Sequence, residues 1–270
     1  MTKAAPLQSK PMTFTERTLD ELTLDDEASF RHVGLYADLK KVLRVGGYRF
    51  RVLPEAAARW DHALLLSLTF WGDGSGDVLV DDTLPADVVT HVAWHHLAAK
   101  ELADPGTQPG AEALFLGEAI ASAFDVYLVG RLLSRSPQAA FLETQVPAMV
   151  DAAEAAGVTE AEFGVLLQAI AADPDRAFED LRQLLFDTTT ALFACVDAQA
   201  ALAVLVAADA HRFGCLLYRY ELSNWVLYAR AHAGPSLAPD ARVRGIDQAL
   251  RQSPVALDWL TVNWVEPAIR

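Results

Sequence analysis

The 270-residue chain has two cysteines, three methionines and few cations: 22 Lys and Arg stand against 36 Asp and Glu, for a formal net charge of −14. Each scarcity excludes something. Two cysteines, Cys195 and Cys215, allow at most one disulfide and give no sign of a stapled secreted scaffold, and both lie in apolar surroundings where a free thiol usually acts as a small hydrophobe. The shortage of clustered Lys and Arg argues against a nucleic-acid surface or an anionic membrane as partner. The first twelve residues have no apolar core of the secretory kind, so the expected location is cytoplasmic.

Motifs for the commoner chemistries are also missing. No Gly-x-Ser-x-Gly occurs, and Gly74-Ser75-Gly76 precedes a strand-like run where a nucleophile elbow would precede a helix. The Gly72–Asp77 run has no Lys-Ser/Thr after it and no Glu at the twelfth loop position, which excludes a phosphate loop and a calcium loop and leaves a turn. Glu-x-x-His on two helices, the di-iron pattern, is absent as well.

What the chain has in plenty is apolar residues, 52% of the total, enough for a large core. Their spacing predicts a mainly α (α+β) protein: a flexible leader over 1–15, an α+β region over 16–135 and a helical subdomain over 136–270. Val45–Leu53 alternates apolar and basic residues after Gly46-Gly47, as a half-buried strand does, and Val78–Val80 reads as a second, short strand. The run Leu64–Trp71 fits a helix end or a buried strand equally. Helices are predicted over Leu84–Leu102, Ala111–Leu133, Ala139–Ala156, Thr159–Ala172, Pro174 to about Ala208, and Asp209–Ala233, with Thr159 and Glu162 forming a capping box. Within the fifth of these, Thr190–Ala208 approaches the length of a membrane span, but Asp197 and Gln199 sit in its middle and no basic flank marks an orientation, so it reads as a core helix.

The chemistry concentrates in Thr90-His91-Val92-Ala93-Trp94-His95-His96. His91 and His95, four apart, stand one turn above the other on one helix face. Downstream, Leu116-Gly117-Glu118-Ala119 opens a second helical stretch with a carboxylate, and Glu118, Ser122 and Asp125 share one face of it. Two imidazoles and a carboxylate make a three-ligand site with an open position, suited to zinc and, as a facial triad, to Fe(II). Asp125 is the reserve ligand or orienter, Asp87 a candidate acceptor for a second ring N–H, and Asp82 or Thr83 a candidate helix cap.

This order of elements resembles the zinc-binding region of the gluzincin metallopeptidases, in which a His-Glu-x-x-His helix precedes a helix carrying a ligand Glu. The resemblance covers roughly residues 84–132 and implies a zincin-like two-helix metal region with His91, His95 and Glu118 as zinc ligands and a peptide or small molecule as substrate. The family's general base follows the first His, where this chain has Val92, which can neither take up nor return a proton. Glu101, Asp125 and Glu221 are the candidates to replace it. The expected function is that of a divalent-metal-binding zincin-like protein. The competing readings are a metal-free helical interaction protein and a non-haem Fe(II) enzyme.

A second polar cluster lies between His211 and Tyr228. His211 and Tyr218 share a face and are candidates for a fourth ligand or an oxyanion donor, and Glu221 is expected to pair with Arg219 or Arg230.

Overall fold

The computed structural model describes residues 13–59, 62, 76–104, 107, 109–234 and 239–270. Most of the expected leader, the Leu64–Trp71 run and most of the Gly72–Asp77 turn lie outside them. The rest is mainly α with a small N-terminal sheet.

Strand β3 (Arg49–Val52) carries the predicted alternation, with Phe50 and Val52 buried and Arg49 exposed. It pairs antiparallel with β1 (Thr15–Thr18) and parallel with β4 (Val78–Leu79). A separate parallel pair joins β2 (Thr23–Asp25) to β5 (Thr83–Pro85) in the register Leu24 to Leu84. Between them, α1 (Gly34–Val45) buries Tyr36, Leu39, Val42 and Leu43, one stripe at helical spacing.

β5 runs directly into α2 (Ala86–Glu101), the histidine helix. Pro85, which cannot donate a backbone hydrogen bond, occupies its cap, Asp87 lies in its first turn and Lys100 in its last, each favourable to the helix dipole. The predicted caps serve elsewhere: the side chain of Asp82 accepts from Arg17, and Thr83 lies in the strand.

The fold is organised by α3 (Ala111–Arg135), of whose 25 residues 20 are buried. Among the described residues it is the helix long and apolar enough to cross a membrane, yet 94% of its most apolar window is inside the protein. A fully buried Leu, Ile or Phe contributes about 1.5–3 kcal/mol, and α3 supplies many. Two glycines set how closely its neighbours come. A Cβ on Gly117 would meet Ala98 of α2 at 3.2 Å, and one on Gly130 would meet the Ile170 carbonyl oxygen at 2.6 Å.

The C-terminal half wraps the other side of α3 with α4 (Ala140–Ala155), α5 (Glu160–Ala172), α6 (Pro174–Ala194), α8 (Leu222–His232) and α9 (Ala241–Gln252). The Thr159–Glu162 capping box forms as read from the sequence. Two long predicted helices are broken. The segment expected to run from Pro174 to Ala208 stops at Ala194, and Asp197 starts α7 (Ala198–Ala208) by accepting from the Ala200 N–H at 2.8 Å. Asp197, which in the sequence interrupts an apolar run, is thus a cap. The predicted helix Asp209–Ala233 is a 3-10 segment, Gly214–Tyr220, followed by α8, with Glu221 in the left-handed conformation (φ 47°) at the joint. The chain ends in α10 (Ala256–Leu260), a π turn over Thr261–Val265 and α11 (Glu266–Ala268).

α9 is fastened to α6 by a buried ion network. The fully buried Arg182 donates to both carboxylate oxygens of Glu179 at 2.7 Å and to Asp247 at 2.8 Å, and Asp247 also accepts from Arg251. Removing the guanidinium leaves buried Glu179 with only the Gln183 amide among these groups to answer its charge, while Asp247 keeps Arg251. Arg182→Ala is expected to lower unfolding free energy by about 3–5 kcal/mol, whereas Asp187→Ala, whose carboxylate is 60% exposed, should cost at most about 1 kcal/mol. Urea titration of both variants checks the contrast.

Candidate functional site

The face of α2 that carries His91 and His95 lies against the face of α3 that carries Glu118, Ser122 and Asp125, and the close approach at Gly117 brings the two helices within side-chain reach. The three residues expected as ligands do come together. The Nε2 atoms of His91 and His95 are 3.2 Å apart, and Glu118 Oε2 stands 3.8 Å from His95 Nε2. On its other side His91 presents Nδ1 to the Asp125 carboxylate, 3.3 Å from Oδ2 and 3.5 Å from Oδ1. The order Asp125, His91, His95, Glu118 runs from a partly exposed end, where the first two side chains are 23% and 21% exposed, to a buried end where the last two are 3% and 8% exposed.

Electrostatics separate the two imidazoles. Burial opposes charge on His91, but the Asp125 carboxylate, by its field and its hydrogen bond, outweighs it and pushes the ring up to about 9. Burial and the neighbouring His91 cation hold His95 well below the usual histidine range. At neutral pH the arrangement is therefore an imidazolium donating Nδ1–H to Asp125 and Nε2–H to the lone pair of a neutral His95. Asp87, one turn before His91, is raised to about 6 by burial and by the charge of Asp125; its field favours the His91 cation, but the ring N–H goes to Asp125.

The gluzincin resemblance is corrected by this geometry. Among the described residues no group of three or more His, Cys, Asp or Glu is able to hold a metal ion. His91 and His95 stand Nε2 to Nε2 at 3.2 Å, His91 is engaged at its other nitrogen by Asp125, and Glu118 Oε2 lies 3.8 Å from His95 Nε2, beyond hydrogen-bond distance. With Val92 at the position of the family's base and fully inside the core, no zincin motif is present.

Other expected participants lie elsewhere. His96 turns to the opposite side of α2, edge-on to the Tyr48 ring at 5.6 Å, and burial lowers it to about 4. Tyr218 is exposed, and His211 accepts from the Phe213 N–H. Glu221 accepts from Asn224 instead of pairing with an arginine; Arg219 bonds Gln145, and Arg230 donates to the Phe193 and Cys195 carbonyls. In their place two tyrosines flank the cluster. Tyr220, raised to about 12 by burial, feels the Asp125 charge, and Tyr228 feels that of Glu118. A sequence signal for them existed, since both belong to the aromatic run 218–228, but the break at Glu221 placed them on different elements and hid their common side.

No family model, curated protein or solved structure matches the chain, so the site stands on its own geometry.

The His91 contact has a pH signature. A histidine raised from 6.5 to about 9 on folding adds stability that is whole below pH 6.5 and is lost as pH rises through 9. Asp87, raised from 3.8 to about 6, acts in the same sense over lower pH, and there the lowered His95 and His96 oppose it. The clean window is therefore pH 6.5–9. Unfolding free energy is expected to fall across it in the wild type and to be markedly flatter in His91→Gln, as measured by denaturant titration at each pH.

Proposed function

We propose that the α2–α3 cluster is a metal-independent acid–base centre that exchanges a proton with a small polar substrate at the partly exposed His91–Asp125 end. The observation that carries this reading is the 3.2 Å contact between the two Nε2 atoms, with a carboxylate beside each ring. Asp125 fixes the His91 ring and leaves its Nε2–H directed inward. A substrate oxygen or nitrogen entering at the exposed end takes the Nδ1 proton of His91 in the forward step and leaves the ring neutral. The proton that the substrate returns to Nδ1 restores the imidazolium, whose Nε2–H neutral His95 accepts. Separated affinities on adjacent groups are the physical basis of paired acid and base roles.

A second reading, a helical interaction protein, is favoured by a different observation, the exposed apolar surface of α7.

The acid–base reading is tested on protein purified without chelator. Metal analysis should find no stoichiometric zinc or iron, and turnover of activated aryl esters should be indifferent to chelator. Asp125→Asn and His91→Gln should each reduce kcat/KM by about 10²- to 10⁴-fold, the usual contribution of a positioned acid or base. A stoichiometric divalent ion lost in His91→Gln would overturn the proposal, and so would turnover that neither substitution affects.

A further inference from the structure

The exposed end of the histidine cluster holds more negative charge than it answers. Asp87 stands one turn before His91 on the same side of α2, and Asp125 comes to His91 from α3. Among the described residues neither carboxylate pairs with a lysine or arginine, so two acids share the single His91 cation. Burial and the charge of Asp125 hold the Asp87 carboxyl up at about 6, as two acids close enough to repel require. One N–H from His91 leaves Asp125 most of its acceptor capacity, because a carboxylate has about four lone-pair sites. Ser122, one turn before Asp125 on the same face of α3, is 5% exposed, and its hydroxyl has no hydrogen-bond partner among the described residues. Thr90, Thr189 and Thr261, by contrast, return theirs to carbonyls three or four residues back. Beside Asp87 lies a cavity of about 240 Å³ whose lining includes Asp25, Asp26, Phe30 and Phe141 and neither lysine nor arginine.

We propose that these groups hold the ammonium group of a small primary amine: Asp87 and Asp125 take its charge, Ser122 Oγ accepts its third N–H, and its carbon chain lies in the cavity beside Asp87. The inference rests on the acid–base reading above and names the class of substrate for that site. An ammonium offers three donors and no acceptor, which matches two carboxylates and one unengaged hydroxyl oxygen. An anion is repelled by both acids, and a neutral molecule leaves their excess charge unanswered. A metal ion is not the occupant, since among the described residues no group of three or more His, Cys, Asp or Glu can hold one. A quaternary ammonium has no N–H to give Ser122. At roughly 30 Å³ for each water-sized group the cavity has room for about eight, so the amine is small. The bound cation also acts on the chemistry. Placed beside Asp125, it offsets the field that holds the His91 proton, so binding brings His91 down from about 9 and readies its Nδ1 proton for another atom of the same molecule.

Nitrogen-15 NMR of the histidine side chains in the full chain, titrated with methylammonium chloride, tests this without using turnover. Methylammonium should lower the His91 titration midpoint saturably, and tetramethylammonium chloride or sodium acetate at the same concentration should not. Asp87→Asn should weaken methylammonium binding by about ten- to a hundredfold and Ser122→Ala by about three- to tenfold, the ranges for hydrogen bonds to charged and to neutral acceptors. In urea titration the Ser122→Ala protein should be no less stable than wild type, because the hydroxyl it loses is unpaired. Glu101→Gln, which removes the same charge about 21 Å further along α2, should leave binding intact. A His91 midpoint that methylammonium leaves unmoved, or moves no further than tetramethylammonium does, overturns the proposal, and so do Asp87→Asn and Ser122→Ala proteins that both bind as wild type does. Turnover lost in His91→Gln, with no methylammonium effect on His91, removes the amine and keeps the acid–base centre. Methylammonium binding in a protein whose turnover ignores His91→Gln does the reverse.

Discussion

A buried helix cannot keep a carboxylate unpaired, and α3 carries three. Taking a charge out of water costs several kcal/mol unless a partner restores it, so each acid on α3 dictates what must lie opposite. Glu112 receives the Arg244 guanidinium and the Asp240 backbone N–H, which draws the start of α9 against the start of α3. Asp125 receives His91, and Glu118 stands 3.8 Å from His95, so both carboxylates face the histidine side of α2. The same demand operates on α6, where Glu179 is answered by Arg182. Apolar burial brings these helices together, and the paired acids decide their register.

How much of this could be read from sequence follows from how local each cause is. The capping box at Thr159, the alternation in β3 and the extents of α2 and α4 depend on residues within one or two turns, and they were legible. The breaks at Cys195–Asp197 and at Glu221 were not, because an apolar run over Thr190–Ala208 has the same period whether it is one helix or two, and nothing about a glutamate announces a left-handed backbone. At the site, spacing placed His91 and His95 on one face and grouped Glu118 with Asp125. It could not say which acid meets which ring. Spacing is equally silent on whether two imidazoles point at a common ion or at each other, and that orientation separates a metal triad from a hydrogen-bonded chain.

The histidine cluster and α7 are physically unlike. The cluster concentrates charge where two side chains remain partly exposed, and α7 carries no charged residue over its eleven.

The central claim, that His91 and His95 share one proton under Asp125, is tested most directly by nitrogen-15 NMR of the histidine side chains at pH 7. The account predicts both His91 nitrogens protonated and His95 neutral with its proton on Nδ1. Two neutral rings both protonated at Nε2, or His91 shifts that move on adding chelator, would contradict it.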